Sequence, residues 1–325
     1  MSLKTFVLRP LALMLTLVMF IGVGICSHEP YGVKDPENCK LNFTVLSDAH
    51  IEGNNIPRYN AYARSLQDVK KNSSGNDAVV FLGDSTMNGQ IIENLLFHGA
   101  ASMYLQGETV LPVMGNHDIG NGNGDYETLQ NRWYDYTEAF FGRKLEHPYY
   151  SEVIDGYYFI VLGMESQEVH EIYMSDEQFT WLEGELAKAA ESGKPVFVFS
   201  HYPSDYVVDA DGNDTDRLTE LFAEYNREHD LFSFVGHTHM PMHLFWSFHT
   251  EDGFPETYLP RLTELAGEND NEYYDETGTG AEIEVYENQV VIRVRDFFRG
   301  EWKVDTWEDD EPVMEIVYEL KNPIG

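Results

Sequence analysis

Five short apolar segments of this chain each end in a polar cluster built from Asp, Asn and His. These residue types carry carboxylate, amide and imidazole groups, which can bind a divalent cation or transfer a proton. In open α/β sheets, ligands bind just beyond the carboxyl ends of the strands, so clusters that are far apart in sequence can converge on one site. The five clusters are Asp48-Ala49-His50, Gly83-Asp84, Gly115-Asn116-His117-Asp118, His201, and Gly236-His237-Thr238-His239.

The donor types and their spacing predict a metal site. Asp48 and His50 are two residues apart in an extended segment, so both side chains can face the same way, and two histidines of the last cluster share that spacing. No cysteine lies in the clusters, and a ligand set of carboxylates and imidazoles favours manganese, iron or zinc. The candidate ligands are too many for one tetrahedral ion and suit two ions that share a carboxylate. They are Asp48, His50, Asp84, Asn116, His201, His237 and His239.

Each cluster taken alone also has an ordinary interpretation. An Asp-x-His pair is common by chance, and a Gly-Asp pair is usually a turn. The occurrence of all five in order, each after an apolar strand, favours a shared site. Gly83, Gly115 and Gly236 are predicted to let the backbone turn sharply where the strands end.

Apolar runs alternate with amphipathic segments along the chain, which predicts an α/β fold. The predicted strands are 41–46, 78–82, 109–114, 195–199 and 231–235, and the predicted helices are 60–71, 91–105, 129–141, 175–191 and 217–228. Two hairpins are also predicted, formed by 149–154 with 157–162 and by 282–286 with 290–297.

The composition excludes several classes of protein. The chain has 325 residues, of which 42% are hydrophobic and 14% aromatic, so it can bury a real core and is not a disordered acidic chain. It carries 21 Lys and Arg against 56 Asp and Glu, a formal charge of −35. Because a polyphosphate would have to approach a strongly negative surface, we expect no nucleic-acid partner.

The N-terminus has the pattern of a secretory signal. Lys4 and Arg9 precede an uncharged apolar stretch at 11–25, and this stretch is shorter than the roughly 20 residues of a membrane span. We predict a signal peptide at residues 1–26, cleaved before Ser27, a secreted or extracytoplasmic location, and no stable membrane span in the mature chain. An uncleaved anchor and a lipid-modified Cys26 are the alternatives, and the bulky Ile25 argues against the latter.

Taken in order, the five clusters resemble the calcineurin-like metallophosphoesterase superfamily, and the resemblance runs from about residue 41 to residue 239. It implies a four-layer α/β/β/α sandwich with two central mixed β-sheets. It further implies a domain at 40–320, with an insertion over the site at 240–280 and a C-terminal hairpin at 281–305. One metal ion would take Asp48, His50, Asp84 and His239, and the other would take Asp84, Asn116, His201 and His237.

The resemblance also implies a function. We expect an exported binuclear-metal phosphoesterase that hydrolyses small phosphomonoesters or phosphodiesters by attack of a metal-bound hydroxide. His117 is expected to act as the catalytic histidine that gives a proton to the departing oxygen, and Asp118 to orient His117. Asp118 has a second interpretation as a helix cap or turn residue. Two alternatives for the whole chain stay open, an inactive binding or scaffold protein on the same fold and a nuclease.

One position differs from the purple acid phosphatases of that superfamily. Those enzymes have a tyrosine three residues after the bridging aspartate, and this chain has Met87 there. We therefore predict that the protein has no tyrosinate-to-iron colour.

Overall fold

The computed structural model describes residues 8–11, 14, 26–167, 169–242, 247–263, 277–304 and 313–324. Most of the predicted signal peptide at 1–26 lies outside the described residues, as do 243–246 and 264–276 of the predicted insertion. Within the described part of the chain, no helix has the length and apolar character needed to cross a lipid bilayer.

Strands and helices alternate through the first two thirds of the chain, and strands dominate the remainder. The helices are α1 (Ile56–Val69), α2 (Ile91–Tyr104), α3 (Tyr126–Phe141), α4 (Asp176–Ser192) and α5 (Arg217–Tyr225). The strands are β1 (Leu41–Leu46), β2 (Ala78–Phe81), β3 (Thr109–Pro112), β4 (Tyr150–Ile154), β5 (Tyr157–Val161), β6 (Ile172–Tyr173), β7 (Val196–Ser200), β8 (Val207–Val208), β9 (Leu231–Val235), β10 (Phe248–His249), β11 (Glu256–Tyr258), β12 (Thr279–Val285), β13 (Gln289–Asp296), β14 (Glu301–Trp302) and β15 (Glu315–Glu319).

Two mixed sheets form the centre of the fold. The first has the order β14-β13-β12-β1-β2-β3, with β15 beside β13, and β1, β2 and β3 are parallel. The second has the order β10-β11-β9-β7-β5-β4, in which β5, β7, β9 and β11 are parallel. Both predicted hairpins are present, as β4 with β5 and as β12 with β13.

The sheets pack face to face, and helices cover their outer faces. Phe43 of β1 contacts Phe197 of β7 and Phe159 of β5, with ring centroids 4.9 and 5.0 Å apart. Apolar side chains of α1 and α2 pack on the outer face of the first sheet, and those of α3, α4 and α5 pack on the second. The predicted four-layer α/β/β/α sandwich is therefore confirmed.

Two helices begin earlier than predicted, because polar caps start α1 and α3 before the apolar pattern does. α1 begins at Ile56 and not at residue 60, since the Asn55 side chain accepts a hydrogen bond from the Arg58 amide at 3.2 Å. α3 begins at Tyr126 because Asp125 caps the Thr128 amide at 2.9 Å.

A buried ion pair ties α1 to the C-terminal hairpin. Arg295 on β13 donates from Nε to Asp68 Oδ2 at 2.7 Å and from Nη2 to Oδ1 at 3.2 Å. His28 lies 2.9 Å from the same Oδ1 through its Nδ1. The Arg295 guanidinium also stacks 3.7 Å above the Tyr31 ring. The segment that follows the predicted cleavage point therefore packs against the domain through buried charge.

Candidate metal centre

The seven predicted ligands lie together at one edge of the sandwich. β1, β2 and β3 are parallel in one sheet, and β7 and β9 are parallel in the other. Parallel strands bring their carboxyl ends to a common edge, and the two edges meet there. Asp48 and His50 follow β1, Asp84 follows β2, Asn116 follows β3, His201 follows β7, and His237 and His239 follow β9.

The first group of donors surrounds Asp48. His239 Nε2 lies 3.0 Å from Asp48 Oδ1, and His50 Nε2 lies 3.3 Å from the same oxygen. The two imidazole nitrogens are 3.1 Å apart, and His50 Nε2 is 3.5 Å from Asp84 Oδ2. One ligand atom from each of these four residues lies within 4.8 Å of the others.

The second group of donors shares Asp84 with the first. Asp84, His201 and His237 bring one ligand atom each within 4.8 Å of the others. His201 Nε2 is 3.3 Å from Asp84 Oδ2 and 3.0 Å from Asn116 Oδ1. The Nδ1 of His201 donates to the Leu82 carbonyl at 2.7 Å, which leaves Nε2 facing the cluster. Asp84 therefore occupies the position of a bridging carboxylate between two donor groups.

The backbone is strained at these donors. Among the residues that the structure describes, seven non-glycine residues have a positive φ, and five of them are predicted ligands. Such a conformation costs of order 1 to 3 kcal/mol per residue and persists where the surroundings enforce it. The concentration of positive φ values at the predicted ligands indicates that the fold sets the directions of these side chains. The five are Asp48, His50, Asp84, His237 and His239, with φ between 41° and 63°.

The glycines beside the donors act mainly by leaving space, which corrects part of the sequence prediction. Of the three glycines beside the donors, Gly83, Gly115 and Gly236, only Gly83 has a positive φ, at 94°. A Cβ on Gly115 would collide with the Asp84 carboxylate, and one on Gly236 would collide with Ser47 Oγ and lie 2.7 Å from Asp48 Oδ2. These two glycines let the strand ends approach the carboxylates closely.

Burial and mutual charge set the protonation of the cluster. Burial acts to raise the pKa of Asp48, but the charge and hydrogen bonds of His239 and His50 outweigh it and hold this pKa well below its usual value. The same balance, with His201 as the main partner, lowers the pKa of Asp84. Burial lowers the pKa of His50 to about 4 and, together with the charge of His201, that of His237 to about 4. For His201, burial acts to lower the pKa, but the charge and hydrogen bond of Asp84 outweigh it and raise this pKa to about 9. The pocket thus combines ionised carboxylates with neutral imidazoles at His50 and His237 and a charged imidazole at His201.

This donor set fits divalent cations. The ligand atoms are carboxylate and amide oxygens and imidazole nitrogens, which suit manganese, iron and zinc. Asp48 and Asp84 are 0% and 1% exposed, so their negative charge is buried and needs compensation. The close approach of His50 Nε2 to His239 Nε2 brings two ring nitrogens together where a shared cation would relieve their repulsion.

His117 lies beside the donors without joining them. Its amide donates to Asp84 Oδ1 at 2.8 Å, and its ring Nδ1 lies 2.7 Å from the Met87 carbonyl, to which it donates. Its Nε2 is 3.9 Å from Asp84 Oδ2, and its ring centroid is 4.6 Å from that of His50. The ring is therefore oriented by a backbone carbonyl, with Nε2 directed into the pocket.

Asp118 does not make the predicted contact that would orient His117. Its two carboxylate oxygens accept hydrogen bonds from backbone amides and from a hydroxyl group. Asp118 Oδ1 accepts from the Thr86 amide at 2.9 Å and from its hydroxyl at 3.0 Å. Asp118 Oδ2 accepts from the Gly115 amide at 3.0 Å and from the Ser85 amide at 3.3 Å. The two oxygens thus connect the loop after β2 with the loop after β3 by hydrogen bonds. This role matches the alternative interpretation of Asp118 as a turn residue. The backbone carbonyl of Met87 orients the His117 ring instead.

Two features of the site have no signal in the sequence. The carbonyls of Leu82 and Met87 orient His201 and His117, and a backbone carbonyl carries no residue identity. Arg261 lies in the segment after β11; burial is the main cause of the low pKa of His50, and the charge of Arg261 lowers it slightly further. This arginine is 22 residues beyond the last cluster, within the predicted insertion, so no motif marked it.

Comparison with known proteins agrees with this geometry. A family model described as calcineurin-like phosphoesterase matches residues 41–241, more than half of the chain. No curated protein matches the chain in sequence. Among solved structures, the chain is similar to a dimetal phosphatase from Danio rerio, with 14% identity, a TM-score of 0.54, and coverage of 87% of this chain and 99% of that one.

A second similar structure is the purple acid phosphatase PPD1 from yellow lupin (Lupinus luteus) seeds, with 15% identity and a TM-score of 0.53. The match covers 84% of this chain and 54% of the lupin enzyme, so the chain spans about half of that enzyme's length. At these identities the two structures show a shared fold alone. The family model matches the segment that contains all seven predicted metal ligands. The chain belongs to the calcineurin-like phosphoesterase family.

Proposed function

We propose that this protein is an exported phosphoesterase that hydrolyses small phosphomonoesters or phosphodiesters with two divalent cations. Membership of the phosphoesterase family and the Asp and His cluster support metal-dependent hydrolysis of phosphoesters. The observation that carries the proposal is Asp84, which belongs to both groups of donors. A carboxylate shared in this way is the arrangement that a pair of metal ions requires.

One cation would be held by Asp48, His50, Asp84 and His239, and the other by Asp84, Asn116, His201 and His237. When bound, the cations supply Lewis acidity toward a phosphoryl oxygen and acidify water. The two carboxylates neutralise part of the cation charge, so the pocket keeps a net positive potential that attracts a phosphate group. Manganese, iron and zinc all suit these donors.

His117 is the residue best situated to serve the leaving group. Its Nδ1 proton is committed to the Met87 carbonyl, so a second proton resides on Nε2 when the ring is charged. A protonated Nε2 directed into the pocket can donate to the ester oxygen as the bond to phosphorus breaks. Asp84 Oδ2 lies 3.9 Å from this nitrogen, so the ring stands beside the carboxylate shared by the two donor groups.

Turnover of two model substrates tests the proposal. The full chain is loaded with manganese and assayed with p-nitrophenyl phosphate and bis-p-nitrophenyl phosphate, and Asp84→Asn is compared with Asp155→Asn. Asp155 is an exposed residue of the β4–β5 turn with a similar positive φ, so it controls for the chemistry and backbone of the substitution. We expect wild-type activity in the control and loss of nearly all activity in Asp84→Asn.

Three outcomes would contradict the proposal. A metal-loaded, folded protein that turns over neither ester would favour the binding or scaffold alternative. Full activity in Asp84→Asn would exclude a shared ligand. Cleavage of DNA at a rate well above that of the small esters would favour the nuclease alternative, against the expectation from the charge of −35.

Export is a separate part of the proposal and rests on the N-terminal pattern. Expression in a host with a secretory pathway should release a protein whose first residue is Ser27, as measured by N-terminal sequencing and intact mass. A product that keeps residues 1–26 and remains with the membrane fraction would support the uncleaved anchor, and an acylated Cys26 would support lipidation.

A further inference from the structure

We infer that Asn121 is a positioning residue that fixes the side-chain amide of Asn116, so that the amide oxygen and not the NH2 group faces the metal centre. This inference rests on the proposed function and extends it by naming a residue that acts on one cation through a ligand. Asn121 lies in the loop between β3 and α3, five residues after Asn116.

The amide of Asn116 has polar partners on both of its sides. Its Nδ2 donates to Asn121 Oδ1 at 3.0 Å, and its Oδ1 lies 3.0 Å from His201 Nε2. The His201 ring is itself held by donation from Nδ1 to the Leu82 carbonyl. Because Asn116 is buried, these protein groups and not bulk water decide which way its amide points. The oxygen lies on the side of the proposed ligands, and the NH2 group lies on the side of Asn121.

The direction of this amide matters because its two ends differ chemically. The oxygen has lone pairs that can bind a divalent cation, whereas the NH2 group offers only donor hydrogens. A half-turn of the Asn116 amide would direct the NH2 group toward the cation and bring two acceptor oxygens together, since Asn121 Oδ1 would then face Asn116 Oδ1. Asn121 therefore disfavours the orientation that cannot bind metal. The cation concerned is the one assigned to Asp84, Asn116, His201 and His237.

The loop around Asn121 holds this residue in place. Its amide donates to the Asn116 carbonyl at 2.7 Å, and its own carbonyl accepts from Asn123 Nδ2 at 3.1 Å. Gln167, in the segment between β5 and β6, donates from Nε2 to the Ile119 carbonyl at 2.9 Å and so ties the loop to the second sheet. The oxygen that accepts from Asn116 is thus carried by a backbone with contacts on both sides.

The backbone conformation of Asn121 sets it apart from ordinary loop residues. Two of the seven described non-glycine residues with a positive φ are not predicted ligands, namely Asn121 at 50° and Asp155 at 49°. Asp155 lies in an exposed hairpin turn, where this conformation is common, but Asn121 lies beside the metal centre. Asn tolerates a positive φ better than most residues. The position therefore keeps a side-chain acceptor where its neighbours Gly120 and Gly122 have none.

Manganese binding to the full chain, measured by calorimetry, tests this inference without relying on turnover. The wild type should bind two ions, and Asn121→Gly should bind one of them roughly tenfold to a hundredfold more weakly and the other nearly unchanged. Glycine accepts the positive φ, so the loop itself keeps its path. Asn121→Asp keeps an acceptor oxygen, and neither ion should bind more than about threefold more weakly than in the wild type. Asp155→Gly makes the matched change at the exposed turn and should leave both affinities unchanged.

A double-mutant cycle separates positioning of the amide from general support of the loop. In Asn116→Asp the carboxylate presents an oxygen in either orientation, so no NH2 group can turn toward the cation. Asn121→Gly made in that background should therefore weaken manganese binding by less than about twofold, because its effect passes through the amide. If Asn121 only supported the loop, its replacement would cost a similar factor in both backgrounds.

Four results would overturn the inference. They are wild-type affinity for both ions in Asn121→Gly, an equal loss in Asn121→Asp, an equal loss in both backgrounds of the cycle, and a wild type that binds fewer than two ions. Turnover of p-nitrophenyl phosphate is measured separately. A wild type that binds two ions, of which Asn121→Gly loses one, but that hydrolyses no ester would refute the proposed function and leave the positioning role of Asn121 standing.

Discussion

Replacement of Glu256 by Gln should remove a strong pH dependence from the stability of the fold. Glu256 on β11 is 4% exposed and accepts hydrogen bonds from Ser233 Oγ at 2.9 Å, Tyr258 Oη at 3.1 Å and Ser204 Oγ at 3.3 Å. Burial, with a smaller contribution from Asp205, raises its pKa from 4.5 to about 7, against the effect of the three hydroxyls. The folded state therefore prefers the neutral carboxyl.

The size and the sign of the effect follow from this shift. Between pH 4.5 and pH 7 the folded state binds a proton that the unfolded state has released, so the free energy of unfolding falls as the pH rises. A difference of about 2.5 pKa units corresponds to about 3 kcal/mol at 25 °C. This contribution is complete below pH 4.5 and is lost as the pH rises through about 7. Glu256→Gln keeps a hydrogen-bonding group but cannot titrate.

Urea unfolding of the metal-free protein at pH 5, 6, 7 and 8, followed by tryptophan fluorescence, measures the difference directly. Relative to Glu256→Gln, the wild type should lose about 2.5 kcal/mol between pH 5 and pH 8. The exposed Glu220 on α5 provides the control, and Glu220→Gln should follow the wild type at every pH. A difference between the wild type and Glu256→Gln that stays constant over this range would refute the assignment of a raised pKa to this carboxyl.

Three further substitutions or treatments test other parts of the structure. In Gly115→Ala the new Cβ would displace the Asp84 carboxylate, so manganese affinity measured by calorimetry should fall at least roughly tenfold, and unchanged affinity would contradict the close approach. Asp68→Asn leaves Arg295 buried without its counter-charge and should lower the free energy of unfolding by about 3 to 5 kcal/mol in urea titrations, where a loss below about 1 kcal/mol would argue against the buried pair. The iron-loaded protein should lack a tyrosinate charge-transfer band in its visible spectrum because Met87 occupies the tyrosine position, and a purple sample would show that another tyrosine reaches the metal.

The sequence predicts the strands and helices and the set of residues that meet at the metal centre because both depend on strong local patterns. Each donor directly follows a buried parallel strand, and the carboxyl ends of parallel strands share an edge. Knowledge of the strands is therefore enough to predict that Asp48 and Asp84, which follow the parallel neighbours β1 and β2, lie close together. His201 follows β7 of the other sheet and meets them because the two sheets pack face to face. The apolar periodicity predicts the individual strands, helices and the C-terminal hairpin, whereas the arrangement of two sheets with helices on their outer faces was implied by the family resemblance.

Contacts that depend on the three-dimensional path of loops were not predictable. Asp118 follows His117 in sequence, which suggested that it orients the ring, but its oxygens accept from amides of the loop after β2. The segment of Arg261 lies beside the loop after β1 because the Leu262 amide donates to the Ser47 carbonyl, although the two are more than two hundred residues apart in sequence. The short strands β10 and β11 lack the length and alternation that a sequence pattern needs.

The metal content of the purified protein tests the central claim most directly. The account predicts that the wild type, equilibrated with manganese and freed of excess by gel filtration, contains two ions per chain by elemental analysis, and that Asp84→Asn contains fewer than one. A wild-type content of one ion or none, or two ions retained in Asp84→Asn, would contradict a centre in which Asp84 is shared by two cations.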